Sequence, residues 1–175
     1  MSVVAARIVD GKAEMSYDAG AINTGEKERL ATVTPKVFIP AADLMIGSVG
    51  EWRPAQILEF TSGWPSPTEV LSTSMRTWMH NYLVPFLIKA KNESSAEDID
   101  QFNRSVLLVA PKDRIFRVYT KSMQVIESIQ DYDAIGSGRH HALGALFAGA
   151  TTARAVEAAC QFCLDITGPV KTIKG

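Results

Sequence analysis

The second residue is a serine, and Met1 before a small residue is the kind of methionine that cells remove. Removal leaves the Ser2 hydroxyl beside a free α-amine, whose ordinary pKa of about 7.7–8.0 lies close to working pH. Such an amine takes the proton of its own side-chain hydroxyl, usually through water, and turns the hydroxyl into a nucleophile. Taken alone, Met-Ser is also simply a common way to begin a chain. Asp18 and Lys36 bear on the choice. Asp18 closes a second strand across an Asp10-Gly11 turn, and in an antiparallel pair that end lies beside the start of the first strand. Lys36 opens the next strand and approaches the same end. A buried Lys36–Asp18 pair there places positive charge by the amine, lowering its pKa and favouring its basic form. The same charge stabilises a developing oxyanion. Read singly, Asp18 is a turn residue and Lys36 a solvated strand end.

Two glycine segments complete the candidate chemistry. Gly47-Ser48-Val49-Gly50 falls at a strand-to-helix junction, where glycine lets a backbone N–H come close to a ligand. A helix starting there points free N–H groups at an oxyanion, and an ordinary tight turn fits the same residues. In Gly136-Ser137-Gly138, Ser137 either assists proton transfer or caps the following helix. Other residues are set aside. Adjacent His140 and His141 point to different faces, unlike a metal pair at i, i+4, and His80 is isolated, so no metal and no cofactor are expected. Cys160 and Cys163 fall mid-helix among apolar neighbours, where they read as buried helix residues. Trp52, Trp64 and Trp78 do not line up as a stacking platform and read as packing.

These residues need a frame of strands. The sequence predicts strands at 2–9 and 12–17 joined at Asp10-Gly11, a loop over 20–34, and a hairpin with arms 36–39 and 44–47. A helix over 51–60 and a breaker around Gly63-Trp64-Pro65 precede one long helix over 68–91, kinked at Pro85. Residues 92–100 are polar and loop-like. Strands return at 105–110, 115–120 and 123–129, residues 131–135 lead into Gly136-Ser137-Gly138, and helices over 139–150 and 151–165 and a last strand over 169–173 follow. Strands, helices, strands, helices, strand is the order of a layered α+β sandwich rather than of alternating βαβ units.

Composition agrees with one folded body. The chain has 175 residues, 46% of them hydrophobic, enough for one core and few for two. Eighteen Lys+Arg against nineteen Asp+Glu argue against a protein that binds nucleic acid by neutralising phosphates. The longest apolar stretch, 142–153, contains two threonines and two glycines and falls short of the ~20 residues of a membrane-spanning helix. Residues 3–6 are stopped by Arg7 and Asp10, so no apolar signal-peptide core forms. Two cysteines make no disulfide framework, and a cytoplasmic location is expected.

In order and spacing, Ser2-Val3-Val4, Asp10-Gly11, Asp18, Pro35-Lys36-Val37, Ile46-Gly47-Ser48-Val49-Gly50, Ala134-Ile135-Gly136-Ser137-Gly138 and Leu164-Asp165-Ile166-Thr167-Gly168 resemble the proteasome β-subunit superfamily, and within it the bacterial HslV-type proteasome-like peptidase. The resemblance spans nearly the whole chain, closest over 2–50 and 131–168. It implies one proteasome-like domain over 1–175, a four-layer αββα sandwich of two mainly antiparallel sheets with the active site at one end. It implies Ser2 as the N-terminal nucleophile, Asp18 and Lys36 as its supporting charged pair, Gly47 as the oxyanion donor and Ser137 as the helper of the amine, with Asp165 kept beyond them as a further site residue. It also implies a homo-oligomeric ring or stacked rings, peptide or protein substrates, and docking of an ATP-driven unfoldase. Two differences from the HslV pattern stand out: serine replaces threonine, losing the methyl that restricts the rotamer, and Gly168-Pro169-Val170-Lys171 replaces a segment with an acidic residue and a cysteine. The sequence therefore supports an N-terminal-nucleophile peptidase first, an inactive assembly protein with the same fold second, and a small-molecule amidase third.

Overall fold

Residues 2–23, 28–31, 34–68 and 74–175 are described by the structure, a computed structural model. In chain order the strands are β1 (Val3–Val9), β2 (Lys12–Asp18), β3 (Gly20–Asn23), β4 (Glu28–Ala31), β5 (Val37–Ala41) and β6 (Leu44–Val49). Helices α1 (Trp52–Phe60), α2 (Met75–Trp78), α3 (Val84–Asn92) and α4 (Ala96–Asn103) follow. Then come β7 (Val106–Pro111), β8 (Phe116–Tyr119), β9 (Gln124–Glu127), β10 (Tyr132–Gly136), α5 (Arg139–Phe147), α6 (Thr152–Phe162) and β11 (Val170–Lys174).

Period-two burial assembles these strands into two inner layers. Successive strand side chains point to opposite faces, and here both faces are covered. In β1, Val3 and Ala5 pack toward α5 and α6, while Val4 and Ala6 pack toward the second sheet. In β6, Leu44 and Ile46 face α1 to α4, while Met45 and Val49 face the first sheet. Strands buried on both faces read as continuous apolar runs, which is how β1, β6 and β7 read. Sheet one has the order β10-β1-β2-β11 and sheet two β5-β6-β7-β8-β9, with every pair antiparallel. The expected αββα sandwich is the observed architecture, with one cluster of buried side chains between each pair of adjacent layers.

The two helical layers differ in grain. Trp78, Leu83, Leu87 and Phe102 fill the space over sheet two with large side chains. Over sheet one, Ala134, Ala142, Ala155 and Ala159 meet one another, so α5 and α6 lie close on the strands. Arg7 fixes the turn between these helices by donating to the carbonyls of Ala150 at 2.7 Å and Leu146 at 2.8 Å. Thr152, at the start of α6, shares a 2.7 Å hydrogen bond with Ser16 and donates to Glu14 at 2.5 Å, tying the helix to β2.

Three expectations are corrected. The loop over 20–34 contains the antiparallel pair β3–β4, while its Thr24-Gly25 turn and residues 26–27 lie outside the described residues. Residues 92–100 are not all loop, because Ser95 caps α4 by accepting a hydrogen bond from the Asp98 N–H. The long helix over 68–91 is broken. Residues 69–73 lie outside the described residues, and a π-turn over Met79–Leu83 separates α2 from α3. Pro85 has no N–H and crowds the preceding turn; the wider turn, with the Val84 N–H reaching the Met79 carbonyl, accommodates it.

Candidate active site

The start of β1 is held by a side chain as well as by the sheet. Beyond the Val4–Tyr17 pair, the Val3 N–H donates to Asp18 Oδ1 at 2.8 Å. The other carboxylate oxygen of Asp18 accepts from Lys36 Nζ at 2.8 Å, and the same ammonium donates to the Gly20 carbonyl at 2.8 Å. Asp18 is fully buried and Lys36 is 3% exposed. Lys36 comes from the residue before β5, and its side chain crosses from sheet two to the end of sheet one. Its Nζ also lies 5.4 Å from the centre of the Trp52 ring, in the first turn of α1, within the range of a cation–π contact. Burial pushes the Lys36 ammonium down from the usual lysine range, with Asp18 opposing. Burial pushes the Asp18 carboxyl up, opposed by Lys36 and by the Val3 N–H.

Ser2 lies against this pair. It lines one small cavity together with Lys36, Ser48, Gly50 and Trp52. On its other side, the Ser2 carbonyl accepts from Ser137 Oγ at 3.3 Å. Gly136 makes that approach possible: with φ at +99°, a Cβ there would stand 2.1 Å from the Ser2 carbonyl oxygen. The structure thus gathers Ser2, Asp18, Lys36 and Ser137 at one end of the sandwich. Met1 lies outside the described residues.

Gly47 and Asp165 are placed differently. Gly47 is not at the strand-to-helix junction but inside β6, paired with Val37 and Leu108. The Ser48 N–H donates to the Lys36 carbonyl at 2.8 Å, so by the alternation of a strand the Gly47 N–H faces β7 and belongs to the ladder. What its missing side chain provides is room between the sheets, since a Cβ would meet Val4 Cγ1 at 2.7 Å. The junction glycine is Gly50, with φ at +108°, and it borders the cavity beside Ser2. Asp165 follows α6, and among the described residues no hydrogen bond or ion pair joins it to Ser2, Asp18, Lys36 or Ser137.

Cys160 was expected to be a buried helix residue, and its thiol is half-buried near the Asp18–Lys36 pair. It is pushed up to about 11, first by burial and then by the Asp18 charge, so it is a neutral thiol at working pH. Trp52, expected only to pack, is the aromatic wall against Lys36. The sequence marked neither role: a cysteine amid apolar helix residues and a tryptophan in a first turn look the same wherever the helix docks.

No protein-family model matches the sequence, and no curated protein matches it. Solved structures do. A Thiobacillus denitrificans BPH chain in complex with epoxomicin superposes with a TM-score of 0.73 at 20% identity, covering 99% of this chain and 97% of that one. A second Thiobacillus denitrificans BPH structure gives a TM-score of 0.72 at 21% identity with the same coverage. Eukaryotic HslV from Trypanosoma brucei gives 0.68 at 16% identity, covering 98% of each chain. End-to-end superposition together with the four-layer order of elements shows that this chain has the proteasome β-subunit/HslV-type fold.

Proposed function

We propose that the chain is an N-terminal-nucleophile peptidase that acts through Ser2 once Met1 is gone. The observation that carries the reading is the buried Asp18–Lys36 pair set against the start of β1, joined by two 2.8 Å hydrogen bonds to Val3 and Lys36. The α-amine of Ser2 takes the hydroxyl proton through water, and Ser2 Oγ attacks a peptide carbonyl carbon. The amine proton passes to the departing nitrogen as the C–N bond breaks, leaving an ester on Ser2. Water, activated by the same amine, hydrolyses the ester and restores the hydroxyl. Lys36 holds positive charge by the amine and so favours its neutral form. Ser137 orients the residue through its hydrogen bond to the Ser2 carbonyl. The oxyanion donor in this reading is the Gly50 N–H near the start of α1, in place of Gly47. Asp165 has no assigned step.

The proteasome-like neighbours support the coarser reading through their fold alone, and the ring assembly, the unfoldase partner and the cytoplasmic location stay part of the proposal. Among the described residues no helix is long and apolar enough to cross a membrane. The test is hydrolysis of fluorogenic peptides by the mature chain and by Ser2→Ala. Turnover lost in Ser2→Ala supports the reading; full turnover in that variant refutes it. The second reading, a fold kept for assembly without catalysis, is favoured by the segment after Gly168, which is built into the sheet as β11 with Val170 paired to Asp18. It predicts no turnover in either chain.

A further inference from the structure

The Asp10-Gly11 turn lies at the far end of β1 from Ser2, and there it meets the turns that join β5 to β6 and β7 to β8. Between these turns is a cavity of about 100 Å³, walled by Ala13, Met45, Ala110 and the half-exposed Ile39. An apolar void of roughly 150 Å³ takes up benzene, so this one has room for a branched chain of about four carbons. Its rim is charged, because Lys12, Lys112 and Asp43 also line it. Among the described residues neither of these two ammonium groups has a hydrogen-bond or ion-pair partner, whereas nearby Lys174 is held by Glu14 at 3.1 Å. Two positive charges against one negative favour an anion at the mouth. The rim is also held in shape. Left-handed backbone occurs there at three non-glycine residues, Asp10 with φ at +50°, Asp43 at +55° and Lys112 at +52°. Aspartate tolerates that conformation by bonding locally, and lysine does not. The Lys112 N–H donates to the Asp43 carbonyl at 2.7 Å, tying two turns together, and the Gly175 N–H donates to the Ala13 carbonyl at 2.9 Å beside the third. An apolar space with charged groups fixed at its mouth has the form of a preformed small-molecule site.

We infer that this cavity binds a short branched-chain carboxylic acid, its alkyl group against Ala13, Met45 and Ala110 and its carboxylate at Lys12 and Lys112. The site lies at the opposite end of the sandwich from Ser2 and does not depend on the peptidase reading. Seating the alkyl group removes apolar surface from water, and the carboxylate gives two unpaired ammonium groups an acceptor. An alcohol of the same shape keeps the first gain and loses most of the second. An amine of the same shape meets two like charges and has Asp43 alone among the lining residues as an opposite one.

Isovalerate, isopentyl alcohol and isopentylamine share one branched alkyl group and differ in charge. Each is titrated into the full chain at low salt while the backbone amide signals are followed by NMR. Isovalerate is expected to shift the signals of Ala13, Met45 and Ala110 to saturation in the millimolar range. It is expected to bind about three- to fivefold more tightly than the alcohol, the worth of a partly exposed charge pair, and the amine to bind most weakly. Lys12→Gln/Lys112→Gln removes the rim charge without touching the walls; there the preference for acid over alcohol disappears while the alcohol binds as before. Ala13→Val narrows the space and weakens all three. Ser2→Ala gives the wild-type affinities. Isovalerate shifts that do not saturate, or that spread away from these turns, overturn the site. Equal affinity of acid and alcohol, an acid preference kept in the double lysine variant, or an amine bound tightest overturns the carboxylate assignment.

Discussion

Replacing Lys36 by methionine is the sharpest perturbation of the site's frame. The side chains are similar in length, so packing against Trp52 is largely kept while the charge goes. Asp18 is then left fully buried, with the Val3 N–H still donating to it at 2.8 Å. Removing one partner of a buried ion pair costs about 3–5 kcal/mol, because the other charge stays uncompensated. The folding free energy of Lys36→Met, measured by urea unfolding at pH 7, is therefore expected to fall by that amount. The pH dependence carries the sign. Burial already pushes the Asp18 carboxyl up, and Lys36 is the main opposing influence, so the carboxyl rises further in the variant. A carboxyl with a higher folded than unfolded pKa binds its proton more tightly in the folded state. Lys36→Met should thus become more stable as pH falls through the raised folded value, gaining up to about 1.4 kcal/mol per pH unit and levelling off below about 3.9. The double variant Asp18→Asn/Lys36→Met removes both charges and should recover much of the loss. A Lys36→Met chain within 1 kcal/mol of wild type, with no gain toward pH 5, would refute the buried-pair argument.

Four further outcomes are expected. Peptide turnover should rise with pH as the Ser2 amine loses its proton, and fall again below the ordinary lysine range as the lowered Lys36 deprotonates; a flat profile between pH 6 and 9 contradicts this assignment. Gly47→Ala should cost about 1–3 kcal/mol by overpacking Val4, read as a lower urea midpoint. Cys160→Ser should leave the pH profile of turnover unshifted, because the thiol is neutral at working pH. Ser95→Ala should lower stability by about 1 kcal/mol through loss of the α4 cap, again read by urea unfolding.

The strands of the sandwich are legible because each obeys one rule over its whole length. Residues 2–9 and 12–17 announce a hairpin through Asp10-Gly11, and the structure pairs them in the register that turn requires, Val9 with Lys12. Asp18 is legible for the same reason, since a closed hairpin brings the end of β2 beside the start of β1, whereas Lys36 reaches that end from the other sheet. The misreadings come where a signal is shared by two outcomes. Ser95-Ala96-Glu97-Asp98 is polar enough for a loop, yet it is also a serine cap with acidic residues in the first turn. Gly47 and Gly50 are both glycines near the end of a strand. Which one turns the chain depends on where pairing with β7 stops, a contact made with residues some sixty positions away. Trp52, Ser48 and Cys160 act through docking partners that no local pattern encodes.

The central claim is a free amine and hydroxyl on one residue, set beside the Asp18–Lys36 pair. Intact and peptide-level mass analysis of the purified chain after treatment with epoxomicin, the compound bound to the BPH chain of the same fold, addresses it directly. The account predicts a chain beginning at Ser2 with one probe mass on its N-terminal peptide and none in Ser2→Ala. A chain that retains Met1 throughout, with no adduct, would contradict it.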